Sequence, residues 1–160
     1  MAETETIILE TTKGRVVIGL RPDLAPNHVE RLKTLAAQGF YDGVPFHRVI
    51  DGFMAQTGDP TGTGSGGSDL PDLNAEFNAE PHTRGTCSMA RTNFPHSANS
   101  QFFICLGDAS FLNGQYTVVG LVSDGMDVVD KIKKAAPGAA GGAVQNPDKI
   151  VKMQLAEKAK

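Results

Sequence analysis

The stretch FHRVIDGFMAQTGD, Phe46 to Asp59, decides the reading of this chain. Two apolar runs flank Asp51-Gly52, which is the signature of a hairpin with strands at about 44–50 and 54–57. One arginine, Arg48, and one glutamine, Gln56, sit inside those runs. Two registers are open. A two-residue turn at Asp51-Gly52 would set Arg48 against Ala55 and Gln56 against His47. A three-residue loop, Asp51 to Phe53, would set Arg48 against Gln56, with Met54 on the same face. Arginine holds its proton under all ordinary conditions, so it cannot serve as a base. A fixed cation in apolar surroundings, with no nucleophile in the same run, demands another kind of chemistry.

Working outward, TIILETT and RVVIGL read as two strands around a turn at Lys13-Gly14. The segment LAPNHVERLKTLAAQGF reads as a helix: Pro26 suits its first turn, Val29, Leu32, Leu35 and Ala36 share a face, and Gly39 ends it. His28 then falls on the exposed side. TGTGSGG, Thr61 to Gly67, reads as a flexible surface loop, and TCSMA, QFFICL and YTVVGLV as short strands. A second helix is expected over 126–135, with Val128, Val129 and Ile132 together, then a loop PGAAGG and a last alternating strand KIVKMQLAE. Strands outnumber helices and turn signals are frequent. The expected fold is mainly β: a single domain over residues 1–160, a closed eight-stranded antiparallel barrel capped by two helices. Closure would remove the exposed strand edges.

A chain of 160 residues fits one domain, and 40% hydrophobic content can supply its core. Net charge is −3 and no basic run occurs, so nucleic acid is not the expected partner. No apolar run approaches a membrane span. The acidic N-terminus, MAETE, lacks the basic start of a secretory signal, so the expected location is cytoplasmic. Cys87 and Cys105 have no metal-ligand partners in spacing and read as buried free thiols. His28, His47, His82 and His96 form no metal-binding pattern. Gly62, Gly64 and Gly67 match GxGxxG, but Pro71 follows where a dinucleotide site needs a helix. Ser97 beside His96 is not a triad, which needs a third member and a defined geometry.

With FHRVIDGFMAQTGD, the segments SMARTNFPHSANSQFFICL, Ser88 to Leu106, and FLNGQYTVVGLV, Phe111 to Val122, occur in order. Together they resemble the cyclophilin-type peptidyl-prolyl cis-trans isomerases, and MARTNFPHSA is similar to the bacterial branch. The resemblance runs over essentially the whole chain. It implies an active site on the outer face of the barrel. Its substrates would be proline-containing peptides and unfolded or partly folded proteins. No cofactor and no metal would be used, and a monomer is expected.

That implication answers the opening question. Turning a peptide C–N bond costs about 18–20 kcal/mol, and Xaa-Pro bonds exchange slowly. No bond has to break: a catalyst must bind the twisted amide better than the planar one. The twisted prolyl nitrogen regains a lone pair, and Arg48 would donate to it. This chemistry requires Arg48 opposite Gln56, hence the three-residue loop. By the family's motifs, Phe53, Met54, Phe103 and Leu112 would enclose the proline ring, and Gln56 and Gln101 would contact the substrate backbone. Ala90 and Arg91 would form a wall, the main chain of Arg91 positioning the residue before proline. His47, Phe111 and Tyr116 would complete the rim. By strand alternation Gln101 and Phe103 share one face, and Phe102 and Ile104 the other. Many relatives carry Trp at Phe111, where its indole N–H supports cyclosporin binding. Weak cyclosporin binding is therefore expected. The rival readings are a proline-peptide receptor without catalysis and a scaffolding domain. Arg48 argues against the first, since holding a proline ring would not need it.

Overall fold

The computed structural model describes residues 6–136 and 139–156. The acidic start at 1–5, Pro137-Gly138 of the expected loop and Glu157 of the expected last strand lie outside the described residues. Strands β1 (Thr6–Thr11) and β2 (Gly14–Leu20) form the first hairpin, and α1 (Pro26–Ala37) follows. Then come β3 (Arg48–Ile50), β4 (Met54–Thr57), β5 (Thr86–Met89), β6 (Phe102–Cys105) and β7 (Val118–Asp124), then α2 (Met126–Lys131) and β8 (Ile150–Leu155).

Alternation builds the core. Ile7 and Leu9 of β1 pair with Ile18 and Val16 of β2, and all four are buried. The turn residues are Thr12 and Lys13, with Gly14 already opposite Thr11, one residue earlier than the expected Lys13-Gly14 turn. Helix α1 lays Val29, Leu32, Leu35 and Ala36 on the core. Its first turn has no side-chain cap of its own. The Glu76 carboxylate accepts from the Asn27 and His28 amides at 3.1 and 3.0 Å. His28 is therefore not exposed: it is fully buried, its Nδ1 2.6 Å from the same carboxylate.

The eight strands are antiparallel and lie in the order β3-β4-β6-β5-β7-β2-β1-β8. The sheet is an open half-barrel, not the closed barrel expected. Strand β3 is only three residues long, and its outer edge is covered by residues 135–136 and 139–144. Ala135 N–H donates to the Val49 carbonyl at 2.9 Å, and Val144 N–H to the His47 carbonyl at 3.1 Å. Strand β8 pairs with β1 on one side, and on the other it meets the chain ahead of β3, through the Pro45–Lys149 bridge and the Gly43–Ile150 and Ile150–Val44 backbone hydrogen bonds. Covering both edges does the work that closure would have done. The last strand also breaks its alternation. Glu10 pairs with Lys152 but Thr11 with Ile150, so Val151 bulges out and Ile150 and Met153 both turn inward. Helix α2 stops at Lys131, short of residue 135, because Ile132 turns extended and buries its side chain.

Strand β6 is buried on both faces. Phe102 and Ile104 join the main core. Phe103 and Cys105 point outward into a second, smaller cluster with Met54 and Ala109. That outer cluster positions the site.

Candidate active site

The hairpin takes the three-residue loop: Arg48 pairs with Gln56, Val49 with Ala55 and Ile50 with Met54. Gly52 in that loop has φ +75, a conformation that favours glycine. Arg48 and Gln56 thus stand side by side on the outer face. Arg48 Nη1 donates to Gln56 Oε1 at 3.3 Å, and Nε donates to the Gly141 carbonyl at 2.7 Å. Gln56 Nε2 donates in turn to Gln101 Oε1 at 2.8 Å, and Gln101 Nε2 to the carbonyls of Gly64 and Gly66 at 3.0 Å each. Among the described residues Arg48 Nη2 has no hydrogen-bond partner. The guanidinium is held through Nε and one terminal nitrogen, Nη1, and leaves the other terminal nitrogen, Nη2, to donate.

Beside it lies a slot of about 100 Å³, lined by Arg48, Phe53, Met54, Gln56, Ala90, Arg91, Phe103, Leu112 and Tyr116. Met54 and Phe103 are 2% and 4% exposed, so the slot has a firm apolar floor. A larger groove of about 650 Å³ continues past Gln56, Ala90 and Arg91, between Gly64–Ser68 and the Thr92–Ser97 loop.

Three of the expected residues are not in the slot. Phe111 stands at its rim, 65% exposed, with its ring 5.4 Å from that of Phe53. Gln101 accepts from Gln56 and lines the adjoining groove. His47 alternates with Arg48 and turns away. It is buried beneath Gly64, and neither ring nitrogen has a hydrogen-bond partner. Burial lowers its pKa, against the pull of Asp59.

Other residues were missed in the sequence. His82 is fully buried behind the slot, its ring stacked 6.2 Å from Phe103 and Nε2 3.0 Å from Ser88 Oγ. Burial lowers its pKa, so it is a neutral support. The Gly-rich loop is not loose. Its amides at Thr61, Thr63, Gly64 and Gly66 donate to the buried Asp59 carboxylate at 2.8, 3.1, 2.6 and 3.0 Å. The partners of Asp59 lie two to seven residues further along the chain, so Asp59 followed by a Thr- and Gly-rich run was the local signal for an ordered loop. Cys87 and Cys105 are buried and free. Among the described residues no group of His, Cys, Asp or Glu could hold a metal ion, and no helix is long and apolar enough to cross a membrane.

Residues 6–155 match the family model of the cyclophilin type peptidyl-prolyl cis-trans isomerase/CLD. The chain belongs to this family. It is 56% identical over 161 residues to the Brucella suis protein named "Probable peptidyl-prolyl cis-trans isomerase", covering 94% of this chain and 82% of that one. It is 41% identical over 137 residues to a Helicobacter pylori peptidyl-prolyl cis-trans isomerase, covering 84% and 83%. Among solved structures it superposes on a Hirschia baltica cyclophilin with TM-score 0.85 at 30% identity, covering 97% of this chain and 75% of that one. It also superposes on a Cryptosporidium parvum cyclophilin-type isomerase crystallised in the presence of the dipeptide Ala-Pro. That match has TM-score 0.85 at 27% identity and covers 94% and 98%. In this cyclophilin the slot and Arg48 occupy the outer face of the half-barrel, on the satellite cluster.

Proposed function

We propose that this cyclophilin accelerates rotation about Xaa-Pro bonds in peptides and in unfolded or partly folded proteins, with Arg48 donating to the twisted prolyl nitrogen and no covalent intermediate. The observation that carries the reading is the placement of Arg48. A cation held by Gln56 and Gly141 lines a slot of about 100 Å³ floored by Met54 and Phe103, a shape suited to a proline ring. The slot residues offer no nucleophile poised beside a base. What they offer is an immobile ring site and a donor that strengthens as the amide loses conjugation, which is selective binding of the transition state. Gln56 takes the flanking carbonyl, and the groove beyond Ala90 takes the chain before the proline. The shallow outer site suits many sequences, which fits a role in protein folding. Monomeric action without a cofactor, in the cytoplasm where two unpaired thiols persist, completes the proposal.

The test is cis-to-trans exchange of a short Xaa-Pro peptide followed by NMR, with the wild-type protein and Arg48→Ala side by side. Acceleration by the wild type and loss of most of it in the folded variant support the reading. Peptide binding by the wild type without acceleration would make the protein a proline-peptide receptor instead.

A further inference from the structure

Arg91 lines both the slot and the groove, yet its side chain is not directed at a substrate. Nε and Nη2 both donate to the Gln115 carbonyl, at 3.0 and 2.7 Å, and Nη1 donates to the Thr92 carbonyl at 2.9 Å. The guanidinium carbon lies 4.7 Å from the centre of the Tyr116 ring and 5.6 Å from that of Phe77. Both distances are within cation–π range. Tyr116 in turn meets Phe103 edge-on, with ring centres 5.7 Å apart at 85°.

The segments joined in this way come from three places in the chain, and the joined residues lie outside the ladder. Arg91 follows the end of β5 at Met89, and Gln115-Tyr116 precede β7 at Val118. Phe77 belongs to the long connection between β4 and β5. It adjoins Glu76, whose own amide donates to Thr117 Oγ1 at 3.0 Å. Each wall has a backbone tie beside it, Met89 N–H to the Thr117 carbonyl and Ala90 N–H to the Gln101 carbonyl, both at 2.9 Å, but Arg91, Thr92, Gln115 and Tyr116 have no strand pairing of their own, so their spacing needs a further fastener. Among the described residues no carboxylate lies within ion-pair distance of Arg91. Its hold consists of carbonyls and rings alone.

We infer that Arg91 is a positioning residue for the isomerase reaction: its planar guanidinium clamps the 90–92 wall to the 115–116 wall and, through Tyr116, sets the width of the proline slot. The inference rests on the isomerase reading for its effect on catalysis, but not for the clamp itself. The work needs a plane that stacks on one side while two of its nitrogens donate to a single carbonyl. A lysine ammonium carries the same charge and can do only part of this. Because the wall meets the planar and the twisted amide alike, loosening it weakens both complexes equally. The loss therefore falls on KM and not on kcat.

The experiment compares the wild type with Arg91→Lys and Arg91→Ala in two ways. Ring proton NMR signals of Tyr116 are recorded in the free proteins. KM and kcat are measured for isomerisation of an Ala-Pro-containing tetrapeptide. Both variants should shift the Tyr116 ring signals. Both should raise KM about fivefold, the scale of an exposed cation–π contact, and keep kcat within about twofold. Lysine should not rescue. Wild-type KM in Arg91→Lys, a loss confined to kcat, or Tyr116 signals unchanged in either variant would overturn the clamp. Arg91→Lys keeps charge and length and is the deciding variant should Arg91→Ala fold poorly. If the wild type shows no isomerisation, the ring signals still decide the clamp, and only the isomerase reading falls.

Discussion

Arg48 and Gln56 face each other across β3 and β4, and the guanidinium is held from two sides, by the Gln56 side chain at 3.3 Å and the Gly141 carbonyl at 2.7 Å. The geometry depends on both ends of the fork. Nε is engaged by the loop that covers the sheet edge, and Nη1 by the neighbouring strand, so the direction of Nη2 is set by two anchors. Arg48→Lys keeps the charge but has one ammonium where the fork needs separate nitrogens. A charge-assisted hydrogen bond contributes about 1.5–3 kcal/mol, or roughly ten- to a hundredfold in rate. Arg48→Lys should lose most of that factor in kcat, while its affinity for an Xaa-Pro peptide stays within a few-fold. Wild-type kcat in this variant would show that charge alone suffices.

Gly142 is the weak point behind the arginine. Its φ is +76, and a Cβ placed there would lie 2.5 Å from Ile50 Cγ1 and 3.3 Å from Arg48 Cγ. Gly142→Ala must therefore displace the Ile50 side chain or the covering loop beside the carbonyl that holds Arg48. A destabilisation of about 1–3 kcal/mol is expected, together with a loss of isomerisation larger than the loss of peptide binding. Denaturant unfolding and NMR exchange on the same sample would check both. Wild-type activity in the variant would show that Gly141 does not aim the arginine.

The existence of the hairpin was legible from its local pattern, but its register was not: two loop lengths fitted, and the chemistry implied by the family resemblance chose the three-residue loop that the structure has. Loop length sets register, register sets face, and the apolar residues at Met54 and Phe103 then fall on the face of Arg48. What was not legible depends on partners far along the chain. His28 is buried because Glu76, 48 residues away, supplies both a helix cap and a ring partner. The edge of β3 is taken by Ala135 and Val144, about 90 residues away in the chain, and not by β8. Neither strand's own pattern states which neighbour covers its edge. The Val151 bulge is likewise invisible, since a strict alternation had predicted the regular strand. His47 shows the limit of motif reading: it belongs to the motif but lies on the inner side of the strand that presents Arg48.

Phe111 sets the expectation for cyclosporin. The ring is 65% exposed at the rim and packs on Phe53, so a larger aromatic can be accommodated there. Phenylalanine has no N–H, and an indole would supply one. Phe111→Trp should bind cyclosporin at least about tenfold more tightly, the scale of one well-placed hydrogen bond, with isomerisation little changed. Calorimetric titration of both proteins would check this. Equal affinities would mean that the indole N–H is not what the inhibitor uses.

Three buried imidazoles predict an acid-sensitive fold. Burial lowers the pKa of His28, His47 and His82 below 6.5, against Glu76 at His28, Asp59 at His47 and Asn113 at His82. The folded state then keeps them neutral while the unfolded chain takes up protons as pH falls through 6.5. Stability is therefore full above that value and declines below it. The urea midpoint should fall between about pH 7.5 and about pH 5.5. His47→Phe removes ring nitrogens that have no hydrogen-bond partner, so it should flatten part of the decline without loss at the higher pH. Equal midpoints at the two pH values would refute the assignment.

Asp59 carries a separate and opposite titration. Burial alone would raise its pKa, but the Thr61 hydroxyl and the amides of Gly66, Thr61 and Gly64 all donate to the carboxylate and hold it at about 2, below the ordinary 3.8. The stabilisation is present above 3.8 and is lost as pH falls from there to about 2. It amounts to about 2 kcal/mol, since each pKa unit is worth about 1.4 kcal/mol. Asp59→Asn turns an amide group toward N–H donors and cannot accept at both ends. The variant should be less stable by about that amount at neutral pH, and the gap should close as the wild type is acidified through 3.8. The loop it organises walls the groove, and the Gly64 and Gly66 carbonyls anchor Gln101. Long peptides that extend before the proline should therefore bind the variant more weakly, while a minimal Xaa-Pro peptide is isomerised nearly as before. Equal loss on both peptides would mean that the groove does not hold the substrate chain and that Asp59 serves stability alone.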